Sequence, residues 1–180
     1  MSSLLKNVGS IKKRDKARLQ PDQFLSIIID GADQSAFGLA HFMVKSKDDR
    51  GHALKVRLIG LLEHNQLNRL RLFTLTEEYP TGANHVVEAV HRFLTDRINQ
   101  SVFPRTFYIQ VDNCTKENKN RFFFSYVESL IRWKLFDEIV VTFLPVGHTH
   151  EDIDQTFSRT SDRLRCNDAC LLYTSDAADD

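Results

Sequence analysis

The sequence predicts a mixed α/β domain, on three observations. Three strand-like runs come first, helix-like and strand-like runs then alternate, and 180 residues suit one domain of ordinary size. Residues 24–30 (FLSIIID) form a short β-branched apolar run that reads as a buried strand, broken by Gly31-Ala-Asp-Gln-Ser. Residues 54–63 (LKVRLIGLLE) alternate and then turn apolar, giving a second strand. Residues 69–79 alternate Leu70, Leu72, Thr74 and Thr76 against Arg71, Phe73 and Leu75, giving a third. His64 to Asn68 suit the hairpin loop between them.

The period changes after Pro80-Thr81-Gly82-Ala83-Asn84. Val86, Val87, Val90, Phe93, Leu94 and Ile98 fall on one helical face, with Asn84 or Thr81 as its N-cap. A fourth strand spans 105–112 and a helix 118–136, whose aromatics Phe122, Phe123, Phe124, Tyr126 and Trp133 read mostly as core. A fifth strand spans 138–145, and 150–165 are polar and helix-compatible. The expected order is β-β-β-α-β-α-β-α around a mixed five-stranded sheet with flanking helices.

Composition narrows the function classes. Charged residues make up 27% of the chain, mean hydropathy is −0.33, and no apolar run approaches the roughly 20 residues of a membrane span. No apolar stretch near the N-terminus is long enough for a signal peptide, so a nuclear or cytoplasmic, non-secreted protein is expected. Three cysteines without a CxxC pair argue against a disulfide scaffold or zinc ribbon. A net charge of zero excludes nucleic-acid binding by bulk charge and leaves local patches open.

The expected domain spans 24–169, with a basic segment or linker at 1–23. The first twenty residues carry six basic side chains against one acid, a phosphate-binding arm, a nuclear-import cluster or a solvated helix. Residues 170–180 read as the in-frame translation of a sequencing-library adapter, whose codons TGT CTC TTA TAC ACA TCT give Cys170-Leu-Leu-Tyr-Thr-Ser175. The natural chain is then expected to continue past Ala169.

Asp30 closes the first strand, Asp112 the fourth, and Asp154 lies in the last helix. Charged groups are poor strand-core residues, so an acid ending an apolar run suits a site at the sheet edge. Asp33 and Glu151 are alternates for the first and third positions. Three carboxylates on separate elements can hold two divalent cations about 4 Å apart, one at an attacking and one at a leaving oxygen. Oxygen ligands favour Mg²⁺ or Mn²⁺. Asn113 follows Asp112, and Lys116, Asn118, Lys119, Asn120 and Arg121 come next, where a helix N-terminus would meet phosphates. Gly147-His148-Thr149-His150 sets two imidazoles beside Glu151, Asp152 and Asp154. His148 and His150 could support the acids or orient a phosphate.

The segments SIIIDGADQS (26–35), VDNCTKENKN (111–120) and FLPVGHTHEDIDQTF (143–157) resemble the ribonuclease-H-like catalytic domains of transposases and integrases, called DDE or DDD for their acids. The likeness is nearer to an uncharacterised branch of transposon-derived eukaryotic proteins and covers roughly 24–165. Asp112 lies 82 residues after Asp30, and Asp154 lies 42 after Asp112, spacings such domains share. The resemblance implies a two-metal polynucleotidyl transferase or nuclease acting on DNA, with no small-molecule cofactor, able to assemble as a homo-oligomer. Asp30, Asp112 and Asp154 are then its catalytic acids. The third acid departs from the commoner Glu, and no DNA-recognition domain is visible. The alternative is a domesticated, inactive remnant that binds nucleic acid or protein. GHTH alone also resembles the last motif of metallophosphoesterases, whose other motifs are absent.

Overall fold

The structure is a computed structural model that describes residues 13–32, 37, 56–64, 69–76, 82–98, 103–112, 119–143 and 151–166. Residues 13–19 are helical (α1). The strands are β1 (Phe24–Gly31), β2 (Val56–Glu63), β3 (Arg69–Thr76), β4 (Thr106–Val111) and β5 (Glu138–Phe143). The remaining helices are α2 (Ala83–Ile98), α3 (Arg121–Arg132) and α4 (Glu151–Arg165). From β1 onward the order is the expected β-β-β-α-β-α-β-α, and every strand starts within two residues of its expected place.

The sheet is five-stranded in the order β3-β2-β1-β4-β5. β4 is parallel to both β1 and β5. Between β1 and β2 the amide of His64 donates to Ser26 and that of Ala32 to Leu58, the crossed register of an antiparallel pair. The sheet is therefore mixed. β1 sits in the middle, which is why Leu25 to Ile29 are buried without alternation. β4 alternates instead, burying Phe107, Ile109 and Val111.

The chain divides into two compact units. The first comprises Met1–Asp30, Gly60–Phe73 and Thr81–His148. The second comprises Gly31–Ile59, Thr74–Pro80 and Thr149–Asp180.

In the first unit α2 buries Val86, Val90, Phe93 and Leu94 of the expected stripe and adds Ala83 and Ala89, while Val87 is half-buried and Ile98, at the helix end, is exposed. Asn84 does not cap it: the helix starts at Ala83, after Gly82 takes a left-handed φ of 118°, and Asn84 is exposed inside the first turn. Thr81 lies outside the described residues. The α3 stripe differs from expectation. Phe123, Val127 and Leu130 face inward, while Phe122, Phe124, Ile131 and Trp133 are exposed. Three consecutive phenylalanines cannot all face one side of a helix, and hydrophobicity alone does not say which one does. Two polar contacts also lie on this sheet. Ser26 Oγ and His64 Nδ1 are 3.0 Å apart and buried, pinning β2 to β1. Glu63, 4% exposed, pairs with Arg97 at the end of α2.

In the second unit Ile153, Phe157 and Ser161 form the buried face of α4, four residues apart. Phe157 meets Phe37 edge-on at 6.3 Å. Among the described residues no helix is long and apolar enough to cross a membrane.

Candidate acid site at the sheet edge

β1 and β4 run in register from Phe24 beside Thr106 to Ile29 beside Val111. The next residue on each strand is an acid, so Asp30 and Asp112 leave the sheet side by side at its carboxyl edge. Adjacent strands lie about 4.8 Å apart, close enough for two carboxylates to share one cation. Residues alternate along each strand, so both acids share a face with Ile28, Gln110 and Tyr108 rather than with Ile29 and Val111. Both are half-buried. Two carboxylates on neighbouring strands repel each other, and a cation between them reverses that sign.

Asp154 belongs to the second unit, in the first turn of α4 next to the buried Ile153. Its Oδ2 is shielded from water and makes no hydrogen bond among the described residues. Burial holds its carboxyl above the usual aspartate range. A shielded carboxylate oxygen with no donor is the kind of atom a hard cation satisfies. Among the described residues no three His, Cys, Asp or Glu side chains group as a metal site. The three acids offer oxygen donors, the donor type that hard divalent cations prefer.

The basic stretch after Asp112 divides. Asn120 Oδ1 accepts from the amides of Phe122 at 3.0 Å and Phe123 at 3.1 Å, so it is the N-cap of α3. Its oxygen is spent on the helix, whereas phosphate contact was expected of it. Lys119 Nζ lies 5.7 Å from the centre of the Phe143 ring, and the Arg121 guanidinium 4.9 Å from that of Phe122, both residues exposed. Asp33, Asn113, Lys116, Asn118, His148, His150 and the segment 170–180 lie outside the described residues, and Glu151 opens α4.

Sequence reasoning missed the docking of α1. Ala17 is 1% exposed, Lys13 Nζ donates to Thr142 Oγ1 at 2.6 Å, and the same ammonium stands 5.6 Å above the Tyr108 ring. Lys16 lies over Phe24 at 5.4 Å, and Phe24 stacks on Tyr108. The small apolar Ala17 among the cations was the one available signal.

A family model described as a domain of unknown function (DUF7869) matches residues 46–174. The chain belongs to that family. Asp112 and Asp154 lie inside the matched span of DUF7869, and Asp30 lies before it. No curated protein matches the chain. Among solved structures, the crystal structure of the Mos1 strand transfer complex is 13% identical with a TM-score of 0.44, over 88% of this chain and 46% of that one. The crystal structure of the mariner Mos1 paired end complex with Mg is 12% identical with a TM-score of 0.39, over 89% and 55%. The DUF7869 chain thus spans about half the length of the solved structures it matches.

Proposed function

We propose that this DUF7869 chain is a transposase-like polynucleotidyl transferase or nuclease domain acting on DNA. Asp30, Asp112 and Asp154 are its catalytic acids and hold two Mg²⁺ or Mn²⁺ ions. The observation that carries the reading is the register: Ile29 beside Val111 delivers Asp30 and Asp112 together to one sheet edge. Asp154 is assigned the third place by its position in the first turn of the last helix and by its shielded oxygen, which makes no hydrogen bond among the described residues.

Bound divalent cations neutralise charge on the attacking and leaving oxygens of a phosphodiester. The chain's own part is placement. The carboxylates fix where the scissile phosphate sits, because the strands carrying two of them are rigidly hydrogen-bonded. Lys119 and Arg121, exposed at the start of α3, give flanking phosphates cationic contacts beside a helix N-terminus.

Isothermal calorimetry with Mn²⁺ on the 180-residue chain tests the reading. Saturable binding is expected for the wild type and is lost in Asp112→Asn with the fold retained by circular dichroism. A folded wild type that binds no Mn²⁺ sinks the enzyme reading and leaves the domesticated binding module. If binding is found, nicking of a DNA duplex in Mn²⁺ is expected from the wild type and not from Asp30→Asn or Asp154→Asn.

A further inference from the structure

A second charged group shares the face of the sheet that carries the acid pair. Successive rows on that face, read across β1, β4 and β5, are Ser26, Tyr108 and Val140, then Ile28, Gln110 and Thr142. The next row on β1 and β4 is Asp30 and Asp112. Lys13 touches Tyr108 and Thr142, so its ammonium reaches the row immediately before the acids. Two residues of strand measure about 7 Å. Lys16, by contrast, rests on Phe24, six residues from Asp30 along β1 and about 20 Å away. The helix α1 therefore runs opposite to β1, with Lys13 toward the acid edge.

Lys13 is also an unusual cation. It is partly buried, and no carboxylate pairs with it among the described residues, where it has a hydroxyl and a ring face instead. Desolvation disfavours its charge and lowers its pKa, with no acid to offset that. A partly buried ammonium without a counter-charge gains from an anion supplied from outside. The lysine is offset from the acids by about 7 Å along the strands and by one to two strand spacings across them. A nucleic-acid strand held at the acid pair, charged every ~3.4 Å of its axis, offers a neighbouring phosphate over that span.

We propose that Lys13 is a phosphate-contacting residue of the acid edge, gripping the nucleic-acid strand bound at Asp30 and Asp112. The proposal rests on the transferase or nuclease reading and adds to it a positioning contact from α1, outside the span matched by the family model. Thr142 and the Tyr108 ring aim the ammonium; the phosphate completes its neutralisation.

The test is binding of a fluorescein-labelled single-stranded DNA oligonucleotide to the full chain in Ca²⁺, by anisotropy across a salt series. Each phosphate contact adds about 0.7 to the slope of log affinity against log salt. Lys13→Met is expected to reduce the slope by about that amount and leave Mn²⁺ binding intact, while Lys16→Met leaves both unchanged. An unchanged slope in Lys13→Met, or an equal loss in Lys16→Met, overturns the proposal while Mn²⁺ binding keeps the parent reading. Absence of both Mn²⁺ and DNA binding in the wild type overturns both. Should Lys13→Met fail to fold, acylation of wild-type Lys13 followed by peptide mass mapping decides. Bound oligonucleotide is expected to slow modification of Lys13 and not of Lys16, and equal rates with and without it overturn the proposal.

Discussion

The two faces of the sheet each hold a charge away from full solvent, and they treat it differently. Glu63 stands across from Ile27 on one face, 4% exposed, and receives Arg97 from α2. Lys13 lies over the other face against a hydroxyl and an aromatic ring, and among the described residues no carboxylate pairs with it. A charge whose counter-charge comes from the same chain is finished when folding ends, and its role is structural. A partly buried charge without one is left to water or to a ligand, and for Lys13 the proposed partner is the second. The contrast separates scaffold from site without reference to any known relative.

The sharpest way to break the comparison is to remove the partner on the finished side. Arg97→Met leaves the Glu63 carboxylate buried and alone, and the expected loss is about 3–5 kcal/mol in urea unfolding. Replacing both, as Glu63→Leu with Arg97→Leu, is expected to recover most of it. A single change that costs under 1 kcal/mol would show the pair to be solvent-screened.

Asp154 gives a smaller effect with a definite sign. Its carboxyl titrates above the usual aspartate range because burial disfavours the charge. The folded chain therefore holds that proton more tightly than the unfolded chain, and stability falls as pH rises from the ordinary aspartate value through the raised one. Asp154→Asn is expected to match the wild type near pH 3 and to exceed it at pH 7 in metal-free buffer, compared by unfolding midpoints. Added Mn²⁺ is expected to stabilise the wild type and not the variant.

The smallest expected effect is on the unfinished side. Lys13→Met gives up a ring contact worth about 0.5–1 kcal/mol and escapes a desolvation cost of similar size. Its unfolding free energy is expected to change by under about 1 kcal/mol, against several for Arg97→Met.

The elements that could be read ahead of the structure are those in which one signal suffices. Strand β1 is five consecutive buried residues, and its closing aspartate is visible as the first charge after them. Asp112 was readable for the same reason. Their adjacency was not, because it depends on β1 and β4 being neighbours in parallel register, a pairing across 82 residues. The exposed face of α3 was hidden by the run Phe122-Phe123-Phe124, which has no phase of its own. Glu63 with Arg97 joins a strand to a helix 34 residues later, and no local pattern encodes it. Lys13 stood in a run of like charges, where only its partners across the fold distinguish it from Lys12 or Arg14.

The central place of β1 also shapes how the chain is made. Leu25 to Ile29 leave the ribosome ahead of Thr106 and the rest of β4, which follow 82 residues later. At 5–20 residues per second that interval is roughly 4–16 s. During it β2 can cover one edge of the nascent apolar strand while the other stays open to any passing strand. Premature strand pairing during synthesis is therefore the characteristic hazard of this topology, and the step that ends it is the arrival of β4.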